Sequence, residues 1–96
     1  MSGMVMTVLE THVPEGQWAA LVDGFARMQA GRPSQLSESF LVQGSADPTL
    51  WQVVGLWRSR DALNEYRASV EAPGGVVLLR SVGSEPTLSV FEVRAQ

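Results

Sequence analysis

The sequence contains no cysteine, no lysine and a single histidine, His12. The first absence excludes disulfides and thiolate metal sites, and it suits a reducing compartment. One histidine per chain rules out a multi-histidine metal site within one subunit. All seven basic residues are arginines, at 27, 32, 58, 60, 67, 80 and 94, and only Arg58 and Arg60 stand close together. Against ten acids they leave a net charge of −3, so there is no basic stripe to attract nucleic acid. No apolar run approaches the ~20 residues of a membrane span. Residues 1–10 are apolar but carry no basic leader, and Glu10 and His12 follow at once. This reads as a cytoplasmic chain without a signal peptide, with neither membrane nor nucleic acid as a partner.

What is there fits one domain spanning residues 1–96. Hydrophobic residues make up 45% of the chain, an ordinary globular share. A domain of this size buries only about 60–65% of its unfolded surface, so its own core is modest. Residues 4–13 read as a strand rich in Val and Thr, ended by Pro14. Trp18, Leu21, Val22, Phe25, Met28 and Gln29 recur at helical spacing over 17–30, with Gln29 the one polar exception; Asp23, Gly24 and Arg27 fall on the other side. Gly31 and Pro33 stop that helix. Residues 36–44 and 50–57 form two strands joined by the turn-rich stretch 44–48, hence an antiparallel hairpin. Ser59 is an N-cap candidate for a second helix with Ala62, Leu63, Tyr66 and Val70 on one face, broken at 72–75. Residues 76–82 fit a short helix or a strand equally by periodicity. Residues 87–94 close the chain as a strand. The order predicts an α+β, ferredoxin-like βαββαβ domain: a four-stranded antiparallel sheet with the helices on one face.

The strands do not alternate as a half-wet sheet should. In the third strand Leu50, Val54 and Leu56 point one way with Gln52, while Trp51, Val53 and Trp57 point the other with Gly55. One apolar face takes the helices. The other needs a second layer, and burying apolar area is worth about 25 cal/mol per Å². The simplest cover is an identical sheet related by a two-fold axis, so self-association as a homodimer is expected.

The element order and the junction Val53-Val54-Gly55-Leu56-Trp57-Arg58-Ser59-Arg60-Asp61-Ala62-Leu63-Asn64-Glu65-Tyr66 resemble the antibiotic biosynthesis monooxygenase family. A strand ending in Trp, a short charged N-cap segment and an aromatic residue about nine positions on are matched by Trp57, Ser59 and Tyr66. The closing strand, Ser89 to Val93, is similar too. The resemblance implies a dimeric α+β barrel. It further implies either cofactor-free oxidation of a quinol or polycyclic phenol, or the haem degradation of another branch. The haem branch sets an Asn on the first strand, a Trp on the second helix and a His shortly after. Here the strand offers Thr7 and Glu10, Tyr66 stands where the Trp would be, and residues 73–76 hold no His. Haem degradation is therefore not expected, and no cofactor is.

Oxidation without a cofactor needs an electron-rich phenol held by polar groups in a dry pocket, which in this architecture lies between sheet and helices. Tyr66, the only tyrosine, is the first catalytic candidate as a proton relay or hydrogen-bond donor. His12 is the second, as a base whose unperturbed pKa lies near neutrality. Trp57, Trp51, Thr7, Asn64 and Arg67 are candidate substrate-binding residues, although helical geometry turns Asn64 away from the face of Tyr66. Each has a structural alternative: Tyr66 and Trp57 as core, Trp51 as dimer core or pocket wall, His12 as a solvated surface group. The expected ligand is a small aromatic or apolar molecule. A non-catalytic dimeric small-molecule-binding or interaction module is the competing expectation. No Ser/His/Asp constellation, paired carboxylate or phosphate loop is present.

Overall fold

The computed structural model describes residues 3–96, so the first two residues of the N-terminal segment considered above lie outside it. Strand β1 runs from Val5 to His12, followed by a 3-10 turn at Glu15–Gln17 and helix α1, Trp18–Ala30. Strands β2, Leu36–Gln43, and β3, Leu50–Trp57, form the hairpin. Helix α2, Arg60–Ser69, helix α3, Gly74–Ser81, and strand β4, Thr87–Glu92, complete the chain. The sheet order is β2-β3-β1-β4 with every pairing antiparallel. This is the ferredoxin-like plan expected from the sequence.

Local chemistry sets the element ends. The Ser59 hydroxyl accepts the Ala62 N–H at 3.0 Å and caps α2, satisfying one of the donors a helix start leaves open. Of residues 76–82, ambiguous in sequence, 76–81 are helical and end α3, and Val82 is its C-cap. Gly75, Leu78, Leu79 and Val82 turn inward while Val77 is 54% exposed, the i, i+3, i+4, i+7 spacing of a helix. The Gly83 N–H donates to the Arg80 carbonyl and the Ser84 N–H to that of Leu79, both at 3.0 Å. This double closure needs a left-handed residue, and Gly83 supplies it at φ 84°.

Two details of α1 differ from the periodic reading. Val22 is 49% exposed rather than packed. Gly24, expected outside, abuts α3 so closely that a Cβ there would lie 2.6 Å from Leu78 Cδ1. The helix lies against α3 as well as the sheet, so its buried stripe is rotated toward Gly24 and away from Val22.

On the helix side of the sheet, Leu9, Val13, Leu21, Trp51, Val53, Leu78, Leu79 and Val82 form one buried cluster. Val5, Trp57 and Leu63 form a smaller one at the other end of the strands. The opposite side carries no layer. The register sets Met6 beside Leu56 and Phe91, and Val8 beside Val54, which in turn neighbours Phe40. Phe40, Val42 and Phe91 are 48%, 41% and 54% exposed. Within this apolar field Gln52 donates a hydrogen bond to Glu10 at 2.8 Å. Among the described residues no helix is long and apolar enough to cross a membrane.

Candidate functional site

Between the sheet and the helices, at the end of the smaller cluster, lies a cavity of about 490 Å³, a size usual for a small-molecule site. Its floor is Thr7, Leu9, Ser39, Val53, Gly55 and Trp57, and its walls come from Met28 and Gln29 of α1, Leu63, Tyr66 and Arg67 of α2, and the start of α3. Gly55 keeps the floor low. A Cβ at that position would fall 2.9 Å from Thr7 Oγ1, 3.1 Å from Trp57 Nε1 and 3.2 Å from Leu36 Cδ1.

The polar groups follow from hydrogen-bond accounting. The Trp57 indole can only donate, and it does so to Thr7 Oγ1 at 2.9 Å. The Thr7 hydroxyl is thereby an acceptor in that bond and keeps its own proton to give. Tyr66 stands in the same position: the Gly74 N–H, at the first residue of α3, donates to its hydroxyl oxygen at 2.9 Å, which leaves the phenolic O–H as a donor. The rings of Tyr66 and Trp57 lie with centroids 5.1 Å apart and planes tilted by 36°, within the range of favourable aromatic pairs. Two hydroxyls and an aromatic wall therefore meet in one cavity.

Gln29 supplies the complementary function. Its amide nitrogen donates to the Ser39 carbonyl at 3.0 Å, and because a carbonyl only accepts, the orientation of the amide is fixed. The other end, Oε1, is buried without a hydrogen-bond partner. Gln29 lines the cavity, so the cavity wall holds one spare acceptor, itself covered, as well as two donors. Sequence reasoning did not select it. The signal was present as the one polar residue on the apolar stripe of α1.

Of the residues named from sequence, Tyr66, Trp57, Thr7 and Arg67 line the cavity, and Trp51, Asn64 and His12 do not. Trp51 is buried in the larger cluster, its ring 6.0 Å from that of Trp18, and its indole N–H has no partner. It is neither cavity wall nor part of the open sheet face. Asn64 is exposed on the outer side of α2, as helical rotation from Tyr66 requires. His12 ends β1 on the open side of the sheet, with Nδ1 3.0 Å from Thr49 Oγ1 and 3.5 Å from Asp47 Oδ2. Hydrogen bonds from the Thr49 hydroxyl and N–H hold the Asp47 carboxyl below its ordinary pKa, with a smaller contribution from His12. Arg27 and Arg32 also border the cavity, and sequence reading had left them as surface charge. Among the described residues no group of three or more His, Cys, Asp or Glu side chains could hold a metal ion.

No family profile and no curated protein sequence matches the chain. Solved structures do. SnoaB, a cofactor-independent oxygenase from Streptomyces nogalater, superposes with a TM-score of 0.73 at 19% identity, covering 98% of this chain and 96% of its own. A protein of Bordetella bronchiseptica, described as a candidate antibiotic biosynthesis monooxygenase, gives 0.73 at 17% identity over 97% and 99%. A heme-degrading protein of Mycobacterium tuberculosis gives 0.71 at 24% identity over 97% and 93%. The chain has the fold that these proteins share, over its whole described length.

Proposed function

We propose that this chain, which has the fold of structures named antibiotic biosynthesis monooxygenases, oxidises a quinol or polycyclic phenol with molecular oxygen and no metal or flavin. The observation that carries the reading is the set of unspent hydrogen-bond functions in one apolar cavity: the Tyr66 and Thr7 hydroxyl protons and the Gln29 carbonyl oxygen. Donors aimed at a substrate oxygen stabilise its anion, and such donors are strongest where water is excluded. In the reaction a ring C–H of the phenolate becomes a quinone C=O. One oxygen atom of O2 enters the product and the other leaves as water, with all four electrons coming from the substrate. Trp57 and Tyr66 provide the aromatic wall.

One observation favours a second reading, a non-catalytic binding module. The lining contains neither carboxylate nor imidazole among the described residues, so no side chain is present as a conventional base. Oxygen uptake on a panel of quinols and naphthols separates the two. Catalysis predicts uptake by the wild-type protein and a loss of about a hundredfold or more in kcat for Tyr66→Phe, the lower end of what one oxyanion donor contributes. Uptake unchanged in Tyr66→Phe removes the hydroxyl from the mechanism, and none on any substrate favours the binding module.

The chain is also proposed to act as a homodimer through the open sheet face, since Phe40, Val42 and Phe91 stand exposed there beside Val54 and Leu56. Sedimentation at micromolar concentration is expected to give two copies for the wild type and one for Val54→Asp. A monomeric wild type would refute this.

A further inference from the structure

The charge on the cavity opposes the charge on the chain. The sequence has ten acids and seven arginines, yet three of those arginines, Arg27, Arg32 and Arg67, line the cavity, and no acid does among the described residues. They come from separate segments: Arg27 from α1, Arg32 from the loop behind it and Arg67 from the last turn of α2. None of the three makes an ion pair or hydrogen bond among the described residues, whereas Arg80 is held by Glu85 and Arg58 by the Ser34 carbonyl. Three unpaired arginines from separate segments border one largely apolar cavity in an acidic protein.

We infer that the ligand is an aromatic carboxylate: its fused rings enter between Trp57, Tyr66 and Met28, and its carboxylate meets Arg27, Arg32 and Arg67 at the rim. This rests on the reading above for the identity of the site and adds the substrate class. A guanidinium presents a planar fork that matches a carboxylate bidentately, and it forms such bonds at lower desolvation cost than an ammonium. The arginine field also suits a lining without a base, because it offsets the carboxylate charge that would otherwise oppose loss of the neighbouring phenolic proton. The net charge of −3 on the chain disfavours the same ligand elsewhere, so the arginine-lined rim is its favoured destination.

The probes are 1-hydroxy-2-naphthoate, an anion, and its methyl ester, neutral and of nearly equal shape, titrated calorimetrically against the wild-type protein. The carboxylate is expected to bind about tenfold tighter or more, the least that one charge-assisted hydrogen bond supplies, and to weaken as salt is raised while the ester does not. In the triple variant Arg27→Gln, Arg32→Gln, Arg67→Gln the two probes should bind alike, and Arg94→Gln, away from the cavity, should keep the preference. Equal binding of both probes to the wild type overturns the inference, and so does a preference that survives the triple variant. Failure of both to bind overturns it as well. Since no turnover is read, a carboxylate preference without oxygen uptake upholds the ligand class while the oxidation reading fails.

Discussion

Trp51 and Trp57 lie on the same face of β3, and both are nearly buried, at 5% and 6% exposure. Their surroundings are opposite. Trp51 is packed on Trp18 within the large cluster, and its N–H goes unpaired. Trp57 spends its N–H on Thr7 and its ring on Tyr66, beside open space. One half of the sandwich is filled and the other is hollow. The difference arises from how the helices are spent: α1 and α3 pack together over the Trp51 end, while α2 packs on the Trp57 end through Leu63 and Tyr66, and α1 and α3 reach that end only with the residues that wall the cavity. The filled half carries stability, and the hollow half leaves hydrogen-bond functions free for a ligand.

The largest expected effect sharpens this contrast. Leu79 is fully buried in the filled half and Leu63 is 2% exposed in the hollow half. Leu79→Ala should cost about 3–5 kcal/mol of unfolding free energy and Leu63→Ala about 2–3, because a truncation next to existing space removes fewer packed neighbours. Urea denaturation of both variants measures the difference. Equal losses would mean that the cavity wall is as tightly packed as the core.

A smaller effect should follow from filling the hollow half. Gly55→Ala puts a methyl group 2.9 Å from Thr7 Oγ1 and 3.1 Å from Trp57 Nε1, too close for the Thr7–Trp57 bond to keep its geometry. The expected destabilisation is about 1–2 kcal/mol, accompanied by weakened binding of an aromatic probe. Unchanged affinity would show that ligands do not reach the floor. At Gly75, which also lines the cavity, an added Cβ would press on Leu9 and Val53, at 2.7 and 3.3 Å, so Gly75→Ala changes packing at the α3 start and cavity space together.

The filled half was the more legible of the two in the sequence. Trp18, Leu21, Phe25 and Met28 mark the α1 stripe at helical spacing, and the alternation of β3 correctly divides Trp51, Val53 and Trp57 from Leu50, Val54 and Leu56. Residues 76–82 were ambiguous because Val76 and Val77 are both apolar and blur the period, although only the helical positions are buried. The cavity was legible only in part. Periodicity identifies what faces inward, but not whether the space there is filled, so Trp51 and Trp57 looked alike. Arg27 and Arg32 read as solvated charge, because no local pattern tells that the end of α1 converges with the end of α2. Gln29 interrupted an apolar stripe, and only the folded chain shows that it lies in the cavity wall with an unpaired oxygen.

The smallest effect lies at the outer edge of the filled half, where the β2–β3 turn is tied to the end of β1. Asp47 accepts from the Thr49 N–H at 3.1 Å and from its hydroxyl at 2.7 Å, and it faces His12. These bonds favour the carboxylate and hold its pKa below the ordinary value of 3.8. A depressed folded pKa means that the unfolded chain takes up the proton first. The contribution to stability is therefore complete above 3.8, the value in the unfolded chain, and is lost as pH falls through the lower folded value. The carboxyl is fully solvated, so the effect is a slight one. Thermal unfolding followed from neutral pH down to below 3.8 should show the wild type slightly more stable than Asp47→Asn at neutral pH, with the gap closing as pH falls below 3.8. A difference between them that is the same at every pH would assign the role of Asp47 to turn geometry, which the amide retains, rather than to its charge.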